Sequence, residues 1–409
     1  MSTADTKRPA PERGRAPGGT TTLLPRIARF LNRYSMAVAL IIVVVVFTIT
    51  TDGILVRDQN LSNLVVQNGY ILILAIGMVM VIIGGHIDLS VGSIAGFAGA
   101  AAAILMVTYE VEWWIALLLS LLVGALAGAF QGFWVAYAKV PSFIVTLAGM
   151  LIFRGLTIAL IGARNIGNLP EPFVFLGAGY VSTGTSEGPD LLTLGIGVLI
   201  VLGIVGWQVL ARRRTVQHGE KPGNLLLFIA GLVVVSAAIL WLSYSLANFR
   251  GLPFVLIILI VLGIGYTILM TRTVLGRHIY AVGSNRQTAQ LSGVKDKRID
   301  FFLFVNMGVL AALAGVIITA RLNLATSGGG TGLELEAIAA AFVGGAAVTG
   351  GVGSIAGALV GGLTIGIINN GMSIMSLGTQ WQQTVLGVVV LLFVAFDIWN
   401  KGRRSRRAV

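Results

Sequence analysis

The chain has 409 residues, of which 56% are hydrophobic and only 11% charged, with a net charge of +12. Water-soluble globular domains carry roughly 25% charged residues, so this balance excludes one. The absence of cysteine excludes a disulfide scaffold, thiolate metal sites and a cysteine nucleophile. The three histidines, His86, His218 and His278, form no HExxH pair; no metal set and no catalytic residue is assigned.

Residues 1–33, rich in Pro, Gly, Thr and Arg without an apolar period, read as a disordered basic tail rather than a cleavable signal peptide. Apolar segments follow near 34–50, 63–85, 89–107, 113–137, 141–161, 190–210, 225–245, 253–271, 301–320, 336–350, 354–372 and 384–399. A helix of about 20 residues crosses roughly 30 Å of hydrocarbon. The expected fold is therefore an all-α polytopic membrane protein over 34–400, with about 10–12 transmembrane helices and a second basic tail at 401–409. The N-terminal tail, Lys139, the 212–221 stretch, the 272–300 loop and the C-terminus hold most of the 28 lysines and arginines. Acids such as Asp52, Asp58, Glu110, Glu112, Glu171 and Glu334 fall between them, on the opposite side. This asymmetry predicts both termini in the cytoplasm, and it makes the basic residues topology signals rather than nucleic-acid contacts. The segments near 336–372 are short and Gly-rich, which leaves room for one re-entrant helix.

The 54 glycines lie largely inside apolar segments. Close helix packing accounts for them, and so do broken helices around a polar path. An internal echo joins GGHIDLSVGSIAG at 84–96 to GGAAVTGGVGSIAG at 344–357. It reads as a duplicated transport unit, parallel or inverted according to segment parity.

No GxxxxGK[ST] phosphate loop occurs, so the chain needs a separate engine or an ion gradient. Asp88, beside His86 and Ser90, ends a long uncharged run. It is either a functional ionisable group or a cap for the next helix. Arg154 either snorkels to the outer interface or has a buried pairing with an acid or a pathway role. The 272–300 loop holds a short helical patch near Asn285–Leu291 between Gly283 and Gly293, read as a plain basic loop or as a coupling helix seated on a partner. Amides recur within the apolar segments: Gln67, Asn68, Gln131, Asn369, Asn370 and Gln380, with Trp381 beside Gln382 and Gln383. Neutral sugars are recognised by such amides and aromatic platforms, although interhelical hydrogen bonds and an interfacial Trp explain the same residues. The candidate substrate path comprises Gln67, Asn68, His86, Asp88, Ser90, Asn369, Asn370, Trp381 and Gln382.

The motifs GGHIDLSVGS, KVPSFIVTLAGMLIFRG, GRHIYAVGSNRQTAQLSGV, AIAAAFVGGAAVTGGVGSIAG and NNGMSIM together resemble the membrane permeases of bacterial ABC importers for ribose, xylose, arabinose and galactose. KVPSFIVTLAGM, the TTDG at 50–53 and an added apolar pair near 190–245 are most similar to the xylose branch. The resemblance implies a type II importer-like permease in the inner membrane, without an ATPase site of its own. It implies a second copy of the chain, ATPase subunits carrying ATP and Mg, and an external sugar-binding protein that delivers a monosaccharide, foremost D-xylose. It makes Gly283, Asn285, Ala289, Leu291, Ser292 and Gly293 candidate ATPase-coupling residues. His86 departs from the Gly or Glu common in the family. The rival is an ion-coupled secondary sugar transporter, which would be expected to hold intramembrane acids; Asp88 is the acid the sequence offers for it.

Overall fold

Helices begin and end where glycine, proline or a polar pair interrupts an apolar run. The computed structural model describes residues 35–405 apart from 163, 185–187, 218 and 220–223. The tail expected at 1–33, His218 and residues 406–409 lie outside the described residues. In chain order the helices are α1 (Ser35–Thr50), α2 (Asp58–Ile83), α3 (Val91–Val107), α4 (Trp113–Ala136) and α5 (Ser142–Ile161). Next come α6 (Glu171–Ala178), α7 (Leu191–Gln217), α8 (Leu225–Phe249), α9 (Phe254–Arg272), α10 (Val274–Ser284) and α11 (Arg286–Leu291). The last four are α12 (Asp296–Leu322), α13 (Leu333–Val343), α14 (Ile355–Ile374) and α15 (Thr379–Ser405). Two antiparallel pairs of two-residue strands, Ile166–Gly167 with Leu324–Ala325 and Tyr180–Val181 with Leu252–Pro253, tie loops at one end.

Among the described residues 8 helices are long and apolar enough to cross a membrane, and α1 and α3 contain shorter apolar stretches. The segment expected at 336–350 is shortened to α13, 11 residues long, or ~16 Å at 1.5 Å per residue. That is about half the hydrocarbon thickness, as a re-entrant helix requires. The last helix continues to Ser405, so residues 401–405 of the expected C-terminal tail are helical.

The centre of the bundle is α2 against α12. Ile73, Leu74, Ile76, Met78 and Met80 of α2, with Leu303, Phe304, Met307 and Ala311 of α12, are fully buried. Lipid tails are as apolar as these side chains, so close backbone approach has to hold helices together. At the α4–α12 crossing, Gly124 and Gly308 each abut the other's carbonyl oxygen. Close packing thus explains many of the glycines.

At the periphery, α7 and α8 form a hairpin with little buried surface. Asp190 anchors it: one carboxylate oxygen accepts from the backbone N–H and hydroxyl of Thr183 at 2.7 and 2.6 Å. The other accepts from those of Thr193 at 2.9 and 2.6 Å, and the Asp190 N–H donates to the Ala247 carbonyl at 3.0 Å. Burial works to raise this carboxyl's pKa, but the four hydrogen bonds outweigh it and hold the group below the usual carboxylate range. A depressed folded-state pKa contributes stability that is complete above the unfolded-state value and fades only in strong acid. Asp190→Ala is expected to destabilise the protein by about 2 kcal/mol, the scale of a lost cap and its charged hydrogen bonds. Thermal unfolding in detergent at neutral pH measures it.

The internal echo acquires a shape. At the end of α2 the N–H groups of Gly84, Gly85 and His86 return to the carbonyls of Met80, Ile82 and Val81. At the end of α13 those of Gly344, Gly345 and Ala346 return to Ala340, Phe342 and Ala341 in the same pattern. The second glycine takes a left-handed conformation in both, φ 87° at Gly85 and 82° at Gly345, which favours glycine. Gly353 lies against Ile83 and Gly366 against Asn68, so α14 runs antiparallel to α2. Gly344 lies against Gly357 and Gly361 against Ala340, so α13 runs antiparallel to α14 and parallel to α2. The two copies are therefore parallel, and their broken ends meet.

Candidate functional site

The meeting point of the two breaks is also where the 272–300 loop packs. The Gly351 N–H donates to the Ile83 carbonyl at 2.8 Å, and Gly283 of α10 is pressed against that same carbonyl. Tyr280 donates its hydroxyl to the Gly353 carbonyl at 2.8 Å. The short helix expected near 285–291 is α11. Asn285 caps it by accepting from the Thr288 N–H at 3.0 Å, and Ala289 is buried against the chain's own core. Leu291, by contrast, is 91% exposed, and Ser292 and Gly293 beside it are exposed.

The first residue of α11 fastens it to the transmembrane bundle. Arg286 donates through both terminal nitrogens to Asp300 near the start of α12, one bond at 3.1 Å, and it approaches Asp296 at 3.3 Å. Asp300, nearly fully buried, also lies 2.9 Å from His86 Nε2. One fork–fork ion pair thus joins the short helix α11, the long apolar helix α12 and the break after α2. His86, read from sequence with the substrate path, lies in this cluster.

The other path candidates fall into separate groups. Asp88 accepts from the Ser90 N–H at 2.8 Å and from its hydroxyl at 2.6 Å, and Gln131 donates to the Ser90 oxygen at 2.7 Å. This chain links the turn before α3 to α4; Asp88 bonds within the turn, to Ser90, and not to the first N–H groups of α3. Along the α2–α14 seam, Asn68 lies against Gly366 and Gln67 faces outward. Asn370 exchanges amide hydrogen bonds with Asn60 at 2.9 and 3.2 Å. Asn369 donates to Glu336 at 3.3 Å. Trp381 is exposed, and Gln382 donates to the Leu377 carbonyl at 3.0 Å; both sit at the start of α15, apart from the amide seam.

The chain matches the family described as branched-chain amino acid transport system / permease component over residues 60–394. It is 38% identical to the xylose transport system permease protein XylH of Haemophilus influenzae over 371 residues, 91% of this chain and 97% of that protein. With XylH of Escherichia coli strain K12 it shares 38% over 373 residues, 91% and 93% of the two chains. The chain belongs to this permease family. It is also 33% identical to the ribose import permease protein RbsC of Escherichia coli strain K12 over 370 residues, 90% and 94% of the two chains. No solved structure matches.

In a multi-pass permease the charges to explain are those inside the bundle, and the sequence reading underrated them. Arg154 of α5 lies 3.7 Å from Glu334 of α13, so of its two readings the buried pairing is the one seen. Glu334, placed with the acids of the opposite side, lies within the fold because the Gly-rich stretch before α13 turns inward. Gly330 packs on Gly92 and Gly329 on Gly96 of α3. The readable signal was Glu334 and Glu336 standing just before the charge-free run 337–396. Acids there favour a helix start.

Proposed function

We propose that the chain is the transmembrane subunit of an ATP-binding cassette importer that carries a pentose, D-xylose foremost, across the bacterial inner membrane. Two copies work with ATPase subunits that hold ATP and Mg, and an external binding protein delivers the sugar. Both termini lie in the cytoplasm. The observation that carries this reading is α11: a short helix whose exposed Leu291 is free to seat in a partner, while Arg286 ties its other end to Asp300 and His86. Exposed apolar side chains on a rigid cytoplasmic helix fit a docking surface. The xylose assignment rests on the 38% identity to the xylose permeases beside 33% to the ribose permease.

The chain breaks no bond in the sugar. ATP binding and hydrolysis on the partners shift the dimer between arrangements, and only a difference in interaction energy between those arrangements can drive the gate. The test is ATP turnover by the purified complex with binding protein loaded with xylose, ribose or arabinose. Stimulation by xylose above the other two is expected. Sugar uptake by this chain without any ATPase, abolished by an uncoupler, would instead establish ion coupling.

A further inference from the structure

A polar surface runs along the membrane-level seam of α2, α13 and α14. Tyr70 is 13 residues from Ile83, about 20 Å along α2, and Glu336 is about 12 Å along α13 from the Gly344 break. Both depths lie within the hydrocarbon of a bilayer roughly 30 Å thick. The Arg321 guanidinium sits 5.7 Å from the centre of the Tyr70 ring. Gly362 of α14 lies against Leu72 of α2 and Ala340 of α13, so the three helices meet at this level. Asn369 donates to Glu336, and Arg154 reaches Glu334. Tyr70, Arg321, Glu336 and Asn369 are partly exposed, and Gln67, one turn before Tyr70, is exposed. Such groups do not face lipid without a penalty of several kcal/mol, so this face lines water or protein.

We propose that Tyr70, Arg154, Arg321, Glu334, Glu336 and Asn369 form an intramembrane carbohydrate site on the translocation path, an assignment that rests on the sugar-permease reading above. Two arginines and two glutamates leave the group balanced in charge, as suits a neutral ligand. Guanidinium donors, carboxylate acceptors, an amide and a phenol alternate around it, and a sugar hydroxyl needs both a donor and an acceptor. Glu334 is 6% exposed, yet its Oε2 has no hydrogen-bond partner, and neither does the buried Arg321 Nε. Buried polar atoms are nearly always paired. An acceptor and a donor left open in one cluster are what hydroxyls can satisfy. Gly330 packs on Gly92 beside the open carboxylate oxygen.

The experiment uses the full complex with its ATPase and binding protein in proteoliposomes. Glu336→Gln keeps shape and removes the charge, and Asn369→Ala removes the amide. Each is expected to lower xylose uptake at limiting sugar at least about tenfold, the scale of a lost charge-assisted hydrogen bond. Each is also expected to change the preference for xylose over arabinose. Because the chain has no native cysteine, Gln67→Cys supplies a second measurement that needs neither variant to fold. A charged, water-soluble thiol reagent is expected to modify it, and xylose delivered by the binding protein is expected to slow that modification. Wild-type uptake and selectivity in both variants overturns the site, as does a Gln67→Cys that reacts only with a lipid-soluble reagent or without protection by sugar. A wild-type complex that carries no monosaccharide overturns the functional reading itself, and the site with it.

Discussion

Gly283→Ala is expected to abolish ATP-driven uptake and to destabilise the protein by about 3 kcal/mol or more, combining overpacking with loss of a buried hydrogen bond. A methyl group at this position would run into the Ile83 carbonyl oxygen, with the Gly351 nitrogen close by. Both obstacles are backbone atoms already bonded to each other at 2.8 Å; neither can rotate away as a side chain can. Either α10 lifts off the end of α2, or the bond joining the two repeat breaks is lost. Gly293 provides a control for stability alone, because it needs glycine for a different reason. Its φ is 81°, and nothing lies within 4 Å of where a Cβ would stand. Asparagine tolerates that left-handed backbone and alanine does so less well. Gly293→Asn is therefore expected to be nearly neutral, and Gly293→Ala to cost about 1 kcal/mol. Thermal unfolding of the purified variants, paired with uptake in proteoliposomes, reads both. Gly283→Ala behaving like Gly293→Asn would show that the junction is not a rigid contact.

The contrast between those glycines marks how far the sequence could be read. Apolar runs such as 113–137 and 301–320 foretell α4 and α12 because a spanning helix must satisfy its backbone within itself and be apolar throughout. The GG…VGSIAG echo foretells the repeat, since a left-handed helix end restricts the residue that occupies it. The short helix at 286–291 was legible from the glycines that flank it, Gly283 and Gly293, whereas the Asn285 cap came with the structure. Contacts between distant segments were not. His86 stands two residues from Asp88 in the sequence, yet it turns to Asp300, 214 positions away, because α12 returns antiparallel beside α2. Arg154 and Glu334 are likewise joined only after the Gly-rich stretch folds inward. Amide composition flagged Asn369, while its partner Glu336 was hidden by position: an acid at the start of a half-length helix looks like a loop acid until the helix is seen to begin inside the bundle.

Arg286→Ala and Asp300→Asn test whether the Arg286–Asp300 ion pair transmits force or only stabilises. Removing Arg286 leaves Asp300, 4% exposed as a side chain, with His86 as its remaining close partner. Breaking a fully buried pair costs about 3–5 kcal/mol. Arg286 is itself 37% exposed, so solvent offsets part of this and about 2 kcal/mol is expected. Asp300→Asn removes the buried charge but leaves Arg286 half-anchored. The double variant leaves no unpaired charge at the buried position 300, and its loss of stability is expected to be smaller than the sum of the two single losses by about 1–2 kcal/mol. Transport obeys a different logic. A docked partner can move the gate only through groups that differ in interaction between its two arrangements, and the guanidinium–carboxylate fork ties α11 to the buried Asp300 of α12, beside the Gln290–Asp296 hydrogen bond at 2.8 Å. Uptake is therefore expected to fall in both single variants and to remain low in the double variant, although stability recovers and the partner continues to hydrolyse ATP. Restoration of uptake along with stability would reduce the pair to a structural fastening and return the coupling role to the apolar contact at Leu291.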